Sequence, residues 1–137
     1  MDQLIFKFPF SKKYYEQDYY VSSNNYSAFK LIDGWPDWPG KWLNIYGEEG
    51  SGKTHLSKIL ENNIKKAKII SPNKINNNII QDLNRLDCLI VDNFNNDIDE
   101  ELLYTILNHS KQLNNYVLIN SQNAIKNLNF NLNDLQS

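Results

Sequence analysis

The chain has 137 residues, 41% of them hydrophobic, the size of one domain with a core of its own. A formal net charge of -2 and a pI near 5.6 argue against non-specific nucleic-acid binding through a basic surface. No apolar run approaches the ~20 residues of a membrane span, and the opening MDQLIFKFPF carries an early acid and no small-residue cleavage site, so it does not read as a signal peptide. The single cysteine, Cys88, lies in an apolar run, cannot form an internal disulfide and is expected in the core, which fits a reduced cytoplasm.

In Gln3-Leu4-Ile5-Phe6-Lys7-Phe8, the side chains of Leu4, Phe6 and Phe8 alternate as they would on one face of an extended strand, and Pro9 ends the run. Residues 11–20 are polar and Tyr-rich without a clear period. Tyr20 and Val21 lead into Ser22-Ser23-Asn24-Asn25, a helix-capping cluster, and a short helix through Tyr26, Phe29, Leu31 and Ile32 follows, stopped by Asp33-Gly34. Trp35-Pro36-Asp37-Trp38-Pro39-Gly40 forms a stiff aromatic turn that delivers the chain to its first core strand, Trp42–Tyr46.

The strongest signal comes next. Gly47-Glu48-Glu49-Gly50-Ser51-Gly52-Lys53-Thr54 is G-x-x-x-x-G-K-[ST], set between an apolar strand and a helical pattern. Glycines let the backbone wrap a phosphate, and successive N–H groups at a helix N-terminus cradle an anion. In such a loop Lys53 reaches the β- and γ-phosphates and the Thr54 hydroxyl holds Mg2+. The spacing therefore predicts a phosphate-binding loop for ATP or ADP with Mg2+.

The helix after the loop is predicted from Thr54 to about Asn63, with Leu56, Ile59 and Leu60 inward. Lys65, Lys66 and Lys68 form a solvated cluster at its C-terminal end. A short strand, Lys68–Ser71, is stopped by Pro72, and residues 73–84 are Asn-rich with one helical turn around Ile79, Ile80 and Leu83. Cys88-Leu89-Ile90-Val91-Asp92-Asn93 reads as a buried strand tipped by an acid. Asp97 or Asp99 can cap a helix running to about Leu113, and Tyr116–Ile119 is another buried-type strand. Strands alternating with helices give an α/β class with a mostly parallel sheet, as three-layer P-loop proteins have.

A phosphate loop needs a partner acid for the metal, and Asp92 has the required context, so the metal pair is Thr54 and Asp92. The next residue, Asn93, is a neutral amide that cannot take a proton, so hydrolysis within one subunit should be slow. Asn120, Ser121 or Gln122 sits just past an apolar strand, where a polar side chain could sense the γ-phosphate or simply cap the strand. His55 and His109 have no Ser, Cys or carboxylate partner at suggestive spacing and read as structural.

Together these residues resemble the replication-initiator (DnaA-type) branch of the AAA+ ATPases, and within it the short Hda group. Tyr19-Tyr20-Val21-Ser22-Ser23-Asn24 matches the branch's aromatic-Val-x-x-x-Asn block, and Trp35-Pro36-Asp37-Trp38-Pro39 the group's Trp-Pro turn. Gly52-Lys53-Thr54-His55-Leu56, Asp92-Asn93 and the helix Leu102–Asn108 match in turn. The resemblance implies a nucleotide-binding set of Gly47–Thr54 with His55, Tyr20, Val21 and Asn24, catalytic roles at Asp92 and more weakly Asn93, and Asn120 as candidate sensor. It implies that Gln3, Leu4, Phe6 and Phe8 dock on the polymerase sliding clamp as an extended peptide over residues 1–10, with residues 11–137 the AAA+ domain. The implied partners are the sliding clamp and the initiator DnaA, with no sequence-specific DNA binding and no membrane.

In that family an arginine finger, a last core strand and a helical lid follow the point where this sequence stops at Ser137, and the only arginine here is Arg85. The resemblance thus implies a core without its lid. It also implies that Trp42–Tyr46 is an open sheet edge, prone to self-association unless extended N-terminal residues cover it. A small P-loop kinase would need several arginines over the transferring phosphoryl group, which one arginine does not supply. A helicase loader and a degenerate nucleotide-binding scaffold stay open as alternatives.

Overall fold

The computed structural model describes residues 20–24, 26–76, 78–94 and 100–125. The expected docking residues Gln3, Leu4, Phe6 and Phe8 and the capping acids Asp97 and Asp99 lie outside the described residues. Five strands form one parallel sheet: β1 (Tyr20–Ser22), β2 (Trp42–Tyr46), β3 (Ala67–Ile70), β4 (Cys88–Phe94) and β5 (Tyr116–Ser121), in the order β1-β2-β5-β4-β3. The helices are α1 (Tyr26–Asp33), α2 (Lys53–Asn63), the short α3 (Asn78–Asp82) and α4 (Glu100–Leu113), with 3-10 turns at Pro72–Lys74 and Leu83–Arg85.

The alternation of side chains along each strand divides the core in two. Leu43, Ile45, Cys88, Ile90 and Leu118 point to one face, where Ala28 and Ile32 of α1 and Leu56 and Leu60 of α2 cover them. Trp42, Leu89, Val91, Val117 and Ile119 point to the other, under Ile79, Leu83, Leu103, Ile106 and Leu107. A parallel sheet is buried on both faces, which is why its strands read as continuous apolar runs. This is the three-layer α/β core that the sequence predicts. Cys88 lies in it, and burial pushes its thiol well above the usual range, so it stays protonated and inert.

One expectation is overturned. Trp42–Tyr46 is not an open edge: β1 pairs along it in parallel, with Tyr20 opposite Asn44, Val21 opposite Ile45 and Ser22 opposite Tyr46. Val21 buries its side chain on the α1–α2 face, and Tyr20 packs edge to face on Trp42 on the other, ring centroids 5.6 Å apart. Three residues are too few to show a period in sequence, so a strand this short is legible only from its partner. The edge expected to invite association is thereby covered.

Smaller differences have equally local causes. In α1 the buried positions are Ala28 and Ile32, while Tyr26 is 70% exposed and stacks on Phe29, which is also exposed. The third strand begins one residue early, at Ala67, and Lys68 reaches Asp82 at 3.5 Å across the surface. The Trp-Pro turn acts at the base of the sheet: Trp35 and Trp38 both meet the Tyr116 ring edge to face, and Trp38 Nε1 donates to the Leu31 carbonyl at 2.8 Å. Among the described residues no helix is long and apolar enough to cross a membrane.

The two-faced core makes a stability prediction. Leu118 is fully buried in the middle strand, so Leu118→Ala should cost about 2–5 kcal/mol. Exposed Phe29→Ala should stay within about 0.5 kcal/mol of the parent. Urea unfolding midpoints measure both, and equal shifts would contradict the layer assignment.

Candidate functional site

Ligands of parallel α/β sheets bind beyond the carboxyl ends of the strands, and the phosphate loop, Asp92 and Asn120 gather there. β2 ends at Tyr46, and Gly47 N–H donates to the Ser121 carbonyl of β5 at 3.0 Å, which fixes where the loop leaves the sheet. The loop turns outward through exposed Glu48, Glu49 and Gly50. Gly52 then adopts φ 98°, a left-handed conformation that an L side chain resists, and the Leu56 N–H to Gly52 carbonyl bond at 3.0 Å starts α2. No side chain caps this helix, so the N–H groups of its first turn keep their capacity for an anion. That uncapped start below a Gly-rich turn fits a phosphate.

Lys53 is 6% exposed, and its ammonium group donates to the Gly47 carbonyl and, at 2.9 Å, to the Glu48 carbonyl. The charge is thus held at the inner wall of the loop rather than waving in solvent. A buried ammonium needs such partners, and an arriving phosphate would give it stronger, charge-assisted ones.

Asp92 stands at the end of β4, where Thr54 Oγ1 donates to its Oδ2 at 3.2 Å. A hydroxyl and a carboxylate at this separation are two hard oxygen donors, the set Mg2+ takes when phosphates and water complete its shell. Among the described residues no three His, Cys, Asp or Glu side chains form a metal cluster, so any ion here depends on Thr54, Asp92 and its ligand.

Asn120 joins the same group. It is fully buried, and its Nδ2 faces Asp92 Oδ1 at 3.1 Å, the Lys53 carbonyl at 3.2 Å and Ser57 Oγ. Its Oδ1 is buried and meets no donor among the described residues, which leaves an acceptor for a bound water or ligand. Of the three sensor candidates, only Asn120 reaches Asp92: Ser121 donates to the Asn123 carbonyl at 2.6 Å, and Gln122 is exposed.

Other expected residues lie further out. Val21 is in the core, Tyr20 packs on the opposite face of the sheet, and Asn24 and His55 are exposed; His109 is half-buried on α4. Asn93 has φ 60° and sits, exposed, in a β-bulge between Val91 and Phe94. It allows Asp92 to face α2 and Phe94 to return to the core. Sequence reasoning missed Ser57, Ser23 and Asn44. Asn44 alone stands out in sequence, as a polar residue between Leu43 and Ile45; Ser23 and Ser57 each have a polar neighbour and show their role only through the partners they meet, Ser51 and Asn120.

The bulge yields a test. Asn93→Ala should lower stability by about 1 kcal/mol, while Asn93→Gly should stay within about 0.5 kcal/mol. Equal losses in chemical unfolding would show that the side chain, not the backbone, holds this position.

AMPPCP-bound DnaA from Aquifex aeolicus matches with a TM-score of 0.65 and 18% identity, over 87% of this chain and 45% of that one. The replication initiator DnaA bound to AMPPCP and single-stranded DNA matches at 0.61 and 18%, over 76% and 39%. DnaI matches at 0.53 and 17%, over 74% and 62%. The chain therefore spans less than half the length of the initiator structures it matches, and the likeness is one of fold alone. No curated protein sequence matches it. The family model described as RNA helicase matches residues 43–133, well over half of the chain, and the chain belongs to that family.

Proposed function

We propose that the chain is the ATP- or ADP-binding AAA+ core of an Hda-like regulator of chromosomal replication initiation, which with the sliding clamp promotes ATP hydrolysis by the initiator DnaA. Residues 11–137 are the nucleotide domain in this reading, and residues 1–10 the clamp-docking peptide. The observation that carries the nucleotide part is the meeting of Thr54, Asp92 and Asn120 beside the buried Lys53. Three elements distant in sequence converge there on a helix start that no side chain caps. Two initiator structures of the same fold hold AMPPCP, which supports a nucleoside triphosphate or diphosphate as the ligand.

Bound Mg2+ would supply charge neutralisation for the phosphates; the chain's own contribution is to hold and orient them. The loop N–H groups and Lys53 bind the phosphate oxygens, Thr54 and Asp92 hold the ion, and Asn120 keeps the Asp92 carboxylate turned toward Thr54. Proton abstraction is a different matter. Asn93 cannot accept a proton and projects from a bulge, and Arg85 lies before the amino end of β4, at the opposite end of the sheet from the loop.

A helicase-associated role is the second reading. The family description and the likeness to DnaI favour it. Both readings share the nucleotide site and part at the N-terminal peptide, which belongs to the clamp reading alone.

Calorimetric titration of the chain with Mg·ADP and Mg·AMPPCP tests the shared part. Lys53→Ala removes a charge-assisted contact of roughly 1.5–3 kcal/mol, so it should weaken binding at least about tenfold. Unchanged affinity would overturn the site. The isolated chain should turn over ATP far more slowly than ~1 s⁻¹; sustained turnover at that rate, lost in Lys53→Ala, would reveal a base not identified above. For the clamp, a peptide of residues 1–10 should bind a bacterial sliding clamp in the micromolar range, about -8 kcal/mol. Leu4→Ala with Phe6→Ala should abolish that. Equal binding by both peptides would leave the helicase-associated reading standing.

A further inference from the structure

The edge strand β1 does more than cover β2. Where it ends, Ser23 N–H donates to the Tyr46 carbonyl at 2.7 Å, extending the β1–β2 pairing to the last residue before the phosphate loop. The Ser23 hydroxyl then crosses to the loop itself and donates to Ser51 Oγ at 2.7 Å, in a half-buried contact between residues 28 apart. Gly47 lies directly under this pair. A Cβ at that position would stand 2.1 Å from Ser23 Oγ and 2.7 Å from Ser51 Oγ, so only glycine lets the two serines meet. Ser51 is also tied back to the loop by its N–H, which donates to the Glu48 carbonyl at 3.1 Å.

We propose that Ser23 is a positioning residue of the phosphate loop, and that its bond to Ser51 couples the pairing of β1 to nucleotide affinity. The proposal rests on the nucleotide reading of the loop. β1 is three residues long and, among the described residues, pairs on one side only, so it is the described strand with the fewest backbone bonds to hold it. Ordering the loop around a phosphate fixes Ser51, Ser51 fixes Ser23, and Ser23 fixes the end of β1. Linkage makes the effect reciprocal: whatever loosens β1 weakens nucleotide binding, and bound nucleotide protects β1. A contact that merely packed the edge strand would stabilise the fold without that reciprocity.

Mg·ADP titration of the full chain, of Ser23→Ala, of Ser51→Ala and of the double variant tests the coupling. Each single change should raise Kd by about 3- to 10-fold, the effect of one hydrogen bond, and the double should be no worse than the weaker single. Ser23→Thr keeps the hydroxyl and should bind within about twofold of the parent. Amide hydrogen exchange adds a readout that a packing role would not move: Mg·ADP should slow exchange at Val21–Ser23 in the parent and not in Ser51→Ala. Unchanged Kd in both single variants, or factors that multiply in the double, would overturn the coupling. If Ser23→Ala fails to fold, Ser51→Ala and the exchange measurement decide alone. Loss of binding in Lys53→Ala with both serine variants unaffected would remove this inference and keep the nucleotide site; a parent chain that binds no Mg·ADP would remove both.

Discussion

The bond from Gly47 N–H to the Ser121 carbonyl fixes the point on which the rest of the site depends. It sets the register of β2 against β5, so that the phosphate loop departs beside the residue where β5 presents Asn120. A slip of one residue would turn every side chain of β5 to the other face, taking Asn120 away from Asp92 and Leu118 out of the α1–α2 layer. The apolar alternation of β5 therefore enforces the polar geometry at its end. Burial of Val117, Leu118 and Ile119 supplies the free energy, and the site inherits the precision.

Polar groups inside this frame are held rather than tolerated. Asn44, in the middle of the loop-bearing strand, donates from Nδ2 to the Ile119 carbonyl and to Ser121 Oγ, each at 2.9 Å, and accepts from Ile125 N–H at 3.0 Å. It thereby ties the turn after β5 to the strand before the loop. Lys53 and Asn120 are likewise buried and bonded, apart from Asn120 Oδ1, which meets no donor among the described residues. An uncompensated polar group in such a place costs about 1–3 kcal/mol, a cost that a bound water or ligand would relieve.

Much of this was legible in the residues. The phosphate loop, the acid-tipped strand and the buried strand after it are local patterns, and local patterns carry their own evidence. Asn120 could be narrowed only to a group of three, because the face on which a strand-end side chain points depends on register. β1 was illegible for a related reason. Three residues show no period, and the edge they close looked open because its neighbour was expected downstream, with cover from upstream expected only of the extended N-terminal residues. Tyr26 and Phe29 read as part of a helical apolar stripe with Leu31 and Ile32, yet the helix buries Ala28 and Ile32, with Leu31 partly buried beside them, and leaves Tyr26 and Phe29 exposed. Ser23, Ser57 and Asn44 act through partners 28, 63 and 75 or more residues away, distances at which a sequence pattern says nothing.

The central claim is that loop, acid and amide form one nucleotide site on a sheet whose loop-bearing strand is already paired on both sides. Native mass spectrometry of the purified chain with added Mg2+ and ADP measures both halves at once. The account predicts a monomer carrying a single nucleotide with its metal ion. A bare chain at saturating nucleotide, or a dimer whose formation does not depend on nucleotide, would contradict it.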